Sequence, residues 1–252
     1  MDFTVEKYKE LLETMTHCGY SFQTFEDFIK SPEEKVIILR HDVDLRPNNS
    51  LRFAEIQHQK NIRGVYYFRA VPKSWDENVI EKIKKLNHEI GYHYENLTTT
   101  KGNMEAAFTD FKSNLENLRK LAPVSTICMH GSPLSKFDSK DIWKENDYKT
   151  LDIIGEPYFD VDFKKVLYLT DTGRKWNGEK SSIRDFVNTS FDFNFSTTDD
   201  IIKAFKNNEL PNQIMFNFHP QRWNDNKIIW MKEFVFQAIK NQVKFLLKVI
   251  RK

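Results

Sequence analysis

Short apolar runs recur along this chain with amphipathic stretches between them, and that alternation restricts the fold more than any other feature of the sequence. Val36-Ile-Ile-Leu39 is β-branched, follows Ser31-Pro32 and ends in Arg40, His41, Asp42 and Asp44, so it reads as a buried parallel strand delivering polar groups to a pocket. Gly64–Ala70, His88–Tyr94, Ser125–His130, Leu151–Ile154, Val166–Thr170 and Ile214–His219 read as further strands. Helical periodicity lies between them. Ser50–Lys60 is one helix, Glu77–Leu86 places Val79, Ile80, Ile83 and Leu86 on one face, and Gly102–Leu121 does the same with Ala107, Phe111, Leu115 and Leu118 before Pro123. Upstream, Tyr8–Met15 is amphipathic and Phe22, Phe25 and Phe28 repeat at helical spacing, which predicts a helical extension over residues 1–35. Strand, helix, strand in repetition means a parallel sheet covered by helices, either closed as a barrel or open and doubly wound.

A chain of 252 residues with apolar runs spread evenly is expected to be a single domain over 1–252. Lys and Arg number 38 against 36 acidic residues, with no basic block or arm, so nucleic acid is not an expected partner. Cys18 and Cys128 stand alone, without the spacing of a disulfide framework or a cysteine-built metal site. No run reaches the ~20 apolar residues of a membrane span, and Met1-Asp-Phe-Thr-Val-Glu lacks the basic and apolar regions of a signal peptide, which predicts a cytoplasmic protein.

The ends of the strands carry the chemistry. Asp42 and Asp44, His93, His130, Asp171 and His219 each close an apolar run at its carboxyl end, the edge where α/β folds build their sites. Carboxylates buried there are costly unless they hold a cation, a proton in transit or an ion pair. Glu95 lies two residues beyond His93, on the same strand face if the strand continues, and is a candidate ligand or groove residue. His88 precedes its strand and suits capping or pairing; His17 and His58 sit on helix surfaces. Arg174, Trp176, Arg222 and Trp223 follow two of the proposed site positions and suit stacking on a sugar and binding its hydroxyls, although core packing is the ordinary use of such aromatics. Gly173–Ser196 is polar and reads as a long loop beside the pocket.

HEIGYH at His88–His93, downstream of a strand that ends in aspartates, resembles the polysaccharide deacetylase superfamily, and the likeness runs from about Val36 to Pro220. The resemblance implies a distorted (β/α) barrel of about seven parallel strands and a metal-dependent deacetylase acting on an N-acetylated sugar or glycan precursor. It gives Asp42 the part of base, Asp44 and His93 those of ligands to a divalent metal, zinc first among them, and His219, in Phe216-Asn-Phe-His219, that of catalytic acid. Asp171 would orient an imidazole. Here Val43 separates the two aspartates, and Leu97 stands where the family usually has a second histidine. A catalytic zinc generally has three protein ligands, so His130, in His130-Gly-Ser-Pro133, is the expected third. A different C–N hydrolase on the same scaffold, resembling allantoin-cleaving relatives, and a sugar-binding protein without catalysis are the alternatives.

Overall fold

The computed structural model describes residues 1–132, 134–176 and 185–250, the side chains of 244–250 excepted. Seven strands form one parallel sheet: β1 (Ser21–Gln23), β2 (Val36–Val43), β3 (Val65–Phe68), β4 (Glu89–Tyr94), β5 (Ile127–Met129), β6 (Leu167–Thr170) and β7 (Gln213–Phe218). Their order is β5-β4-β3-β2-β7-β6. β2 is the longest and central. One edge pairs with β7 over 36–41, while the other takes β1 at 36–38 and then β3 at 40–43. The sheet curls into the incomplete (β/α) barrel that the sequence suggests.

Strand alternation sorts the side chains into two cores. Val36, Ile38, Val65, Tyr67, Cys128, Tyr168 and Met215 fill the inside of the curl with Phe25 and Phe28 of α2 (Phe25–Lys30). Their neighbours along the strands, among them Ile37, Leu39, Tyr66, Phe68, Ile90 and Phe216, face outward. They pack there under α1 (Val5–His17), α3 (Pro47–Gln59), α4 (Glu77–Lys85), α6 (Met104–Arg119) and α8 (Thr198–Lys206). Gly91 has no side chain because Tyr67 occupies the space: a Cβ there would lie 2.2 Å from the Tyr67 ring. The remaining helices are the short α5 (Asn96–Thr99) and α7 (Pro157–Asp160) and the long α9 (Lys227–Ile250).

Three expectations are corrected. Ser21–Gln23 is a strand, so the segment over 1–35 is not wholly helical; Thr24 caps α2 through its hydroxyl and thereby splits the Phe22, Phe25, Phe28 pattern between two elements. Leu151–Ile154 is not a strand. Asp147 caps a 3-10 turn over Tyr148–Leu151, Asp152 takes a left-handed conformation (φ 56°), and pairing is reduced to one bridge between Gly155 and Thr126. The helix expected over Ser50–Lys60 starts earlier, at Pro47, a residue suited to the first turn. Within the Gly173–Ser196 loop, the described residues contain no helix or strand.

Candidate metal and catalytic site

The inward stripe of each strand turns polar as it reaches the carboxyl end: Ile38 gives way to Arg40 and Asp42, Tyr67 to Arg69, Gly91 to His93 and Glu95, Cys128 to His130, and Met215 to Asn217 and His219. These groups, with Asn217 behind Asp42, gather around a cavity of about 710 Å³, which Arg222 lines as well. Alternation also breaks up the cluster after β2. His41 points outward, stacks on Tyr66 with ring centroids 4.1 Å apart and bonds the Val65 carbonyl, so it is a core residue held neutral by burial.

His93 donates from Nδ1 to the Cys128 carbonyl (2.9 Å), which leaves an unprotonated Nε2 facing inward. Burial pushes its pKa down to about 4, so the ring is neutral at physiological pH. His130 donates from Nδ1 to Glu95 (2.9 Å), and its Nε2 lies 3.4 Å from Asp44 Oδ1; His93 Nε2 is 3.8 Å from the same oxygen. That Asp44 oxygen is buried and accepts no hydrogen bond among the described residues. Two imidazole nitrogens and a carboxylate oxygen thus converge within 4.8 Å of one another. A divalent cation at the centre would satisfy all three at once. Ligand atoms bound tetrahedrally to zinc at about 2.0–2.2 Å lie roughly 3.4 Å apart, close to these separations. Asp44, His93 and His130 therefore fit a divalent metal. Glu95, itself paired with Arg69, stands behind His130 as the carboxylate that fixes the ring.

Asp42, His93 and Cys128 also come within ligand distance of one another. That set fits less well. Burial raises the Cys128 thiol well above its ordinary pKa, and Asp42 is already committed to Arg40 through two hydrogen bonds of 2.9 and 2.7 Å. Burial opposes ionisation of Asp42, but the guanidinium outweighs it and holds the carboxyl well below the usual carboxylate range. Asn217 donates to the same group (3.1 Å). For Asp44 burial is again the opposing factor; attraction to the His130, His219 and His93 side chains and to Arg69 outweighs it and holds the carboxyl well below the usual carboxylate range.

On the opposite wall, His219 Nδ1 donates to Asp171 Oδ1 (2.6 Å) and its Nε2 faces Asp44 Oδ2 at 3.8 Å. Asp171 is wholly buried yet fully satisfied by the His219 amide, Arg222 and Trp223 Nε1. Burial is outweighed by His219 and Arg222, and the carboxyl is held below its ordinary pKa.

The aromatic residues expected in the groove are elsewhere. Trp176 is buried among Phe216, Phe218 and Trp223 and donates to Thr198 (2.9 Å); Trp223 packs beside it with its N–H on Asp171. Neither lines the cavity, because aromatic rings with a satisfied N–H fill the outer core better than a wet wall. Arg174 is likewise away from the cavity, stacked on Trp230 at 4.5 Å and bonded to its carbonyl. His88 is tied to the Ala54 carbonyl and the Gly64 amide. Leu97 is in α5 and buried in the outer core. Arg40, Arg69 and Asn217 were the groups that sequence reasoning gave no role; Arg40 and Asn217 share the parity of Asp42 and His219 along their own strands, and Arg69 that of inward Tyr67.

No known family profile and no curated protein matches the chain. Among solved structures it is similar to a Streptococcus mutans CE4 esterase (13% identity over 91% of this chain and 89% of that one, TM-score 0.45). It is also similar to Bacillus subtilis PdaA, a family 4 carbohydrate esterase (12%, 91% and 83%, TM-score 0.46). These neighbours are carbohydrate esterases. A CE4 family pseudoenzyme from Bacillus anthracis is similar too (12% identity, 84% of this chain, TM-score 0.44), and the chain spans 62% of its length.

Proposed function

We propose that this chain is a metal-dependent hydrolase that removes the acetyl group from the nitrogen of a sugar or glycan precursor. The observation that carries the reading is the convergence of Asp44, His93 and His130 at the floor of a cavity whose walls hold one carboxylate locked to an arginine and one imidazole locked to a carboxylate. A divalent ion held by the three would act as a Lewis acid, making water nucleophilic and stabilising the oxyanion.

The chain's own groups account for the protons. Asp42, kept ionised by Arg40, accepts the proton of the water that adds to the amide carbonyl carbon. His219, its Nδ1–H held by Asp171, presents Nε2 to the cavity; in the doubly protonated form of the ring it gives the Nε2 proton to the departing nitrogen as the C–N bond breaks, and the proton taken up by Asp42 then returns to the ring. Acetate and a free amine result. An arginine beside Asp42 and a carboxylate behind His219 keep the two roles distinct. Arg222 and Lys240 line the same cavity and suit the hydroxyls of a sugar.

Elemental analysis of protein purified without added metal tests the reading: about one equivalent of divalent metal is expected, and His130→Ala should weaken its binding by more than about tenfold, as loss of one ligand of three requires. Metal-free protein that keeps full amidase turnover would overturn it.

A further inference from the structure

The helix that closes the chain is built inside out. On the side of α9 that meets the protein lie Trp230, Glu233, Gln237 and Asn241: Trp230 donates to the Asp2 carbonyl, Glu233 approaches Arg46 at 3.7 Å, and Asn241 donates to the Gly173 carbonyl. On the other side a stripe of Ile228, Met231, Val235, Phe236, Ile239 and Val243 faces solvent, with Ile228 68% and Ile239 59% exposed. A surface helix ordinarily does the reverse. A continuous exposed stripe of this length marks a face that meets something apolar.

Charge identifies the occupant. Residues 227–252 contain seven Lys or Arg and a single acid, Glu233, so the rest of the chain is net acidic and the positive charge is concentrated on this segment. A second copy of the chain would set the basic patch that holds Lys232 and Lys240 against the same basic patch, because a two-fold contact pairs a patch with itself. An anionic lipid surface would accept both the apolar stripe and the lysines. No described helix is long and apolar enough to cross a membrane, which leaves the plane of the interface. We infer that α9 is an in-plane anchor seating the protein on an anionic bilayer. The same helix supplies Ile239, Lys240 and Val243 to the cavity mouth, so docking sets that mouth at the level of the headgroups. A sugar carried on a lipid would then reach the site without leaving the bilayer, a consequence that rests on the hydrolase reading, whereas the docking does not.

The test is cosedimentation of the full chain with vesicles of phosphatidylcholine alone or mixed with phosphatidylglycerol, at low and high salt. Binding to the mixed vesicles, weakened by salt, is expected. The exposed pair Ile228→Asp and Val235→Asp, which lies outside the cavity lining, should lower the partition coefficient about tenfold or more, since two apolar side chains lose their burial. Val235→Leu should bind as the parent does. Absence of vesicle binding, equal binding to both lipid compositions, or a solution dimer that the Asp pair splits would each overturn the anchor. Vesicle binding needs no turnover, so its failure and the failure of metal binding are separate results.

Discussion

The two ends of β4 carry the same side-chain chemistry on the same inward face and shift its acidity in opposite directions. Glu89 begins the strand, buried between Thr126 and the Glu26 amide, with no ion pair among the described residues; burial pushes its pKa up to about 7. Glu95 lies just past the other end, nearly as buried, and there burial is outweighed by His130 and Arg69, which draw its pKa down to about 2. Asp42, Asp44 and Asp171 at the same end are lowered as well, each facing an arginine or imidazole. Burial of a carboxylate is therefore not in itself the mark of a site. The partner decides, and at the carboxyl end of the barrel it turns buried carboxyls into anions able to hold a cation or accept a proton.

The largest expected effect is at that end. Asp42→Asn should lower turnover by about 10²–10⁴, the scale of a lost general base, while bound metal stays near the parent level. Metal loss matching that of Asp44→Asn would mean that the two aspartates share ligation. Arg40→Met probes the partner instead of the anion: stripping the guanidinium from buried Asp42 should cost about 3–5 kcal/mol in urea unfolding. Because Arg40 lowers the Asp42 pKa, its removal raises that pKa, and the acidic limb of the kcat/KM profile should move to higher pH. A limb that stays in place would separate Asp42 from the proton transfer.

Much of this was legible in the sequence because alternation and strand ends are local properties. The seven-strand count held, although one strand expected at Leu151–Ile154 is a turn and one unexpected strand, Ser21–Gln23, takes a place beside β2. Asp44, His93, His130, Asp171 and His219 were named from run endings alone, and the fold brings them to one cavity or its immediate support. What was not legible depended on contacts between distant segments. Trp176 and Trp223 are as polar in their sequence surroundings as groove residues, yet Phe3, Phe216 and Phe218 enclose them in the outer core. Glu89 and Glu95 share a parity, and nothing within the strand states that Arg69 reaches one and not the other. The inverted polarity of α9 is likewise visible only once the side facing Arg46, Asp2 and Gly173 is known.

A smaller effect should follow from the partner carboxylate. Glu95→Gln keeps the shape and removes the charge that fixes His130 Nδ1, so metal affinity should fall by about 10–100-fold, as for other carboxylates that orient a ligating histidine. Chelator competition measures it. An affinity equal to the parent's would place His130 outside the metal's ligands, and Glu95 with it.

The smallest effect is at the amino end, where no activity is expected to change. The folded-state pKa of Glu89, about 7, lies above the ordinary value of 4.5, so the folded protein binds the proton more tightly than the unfolded chain does. Its contribution to stability is then fully present below pH 4.5 and is lost as pH rises through 7, the reverse of a salt-bridged carboxylate. Between pH 6 and 8 the loss attributable to this group is about 1 kcal/mol. Glu156, raised to about 7 by the same burial, adds a slope of the same sign, so the parent's own pH dependence does not isolate either residue. Glu89→Gln does, because an amide retains an oxygen for the Thr126 hydroxyl or the Glu26 amide and has no proton to lose. The variant should gain on the parent by about 1 kcal/mol from pH 6 to 8 in urea unfolding, with turnover per folded molecule unchanged. A difference that stays constant across that range would show Glu89 to be ionised and paired in the fold, and would erase the contrast between the two ends of β4.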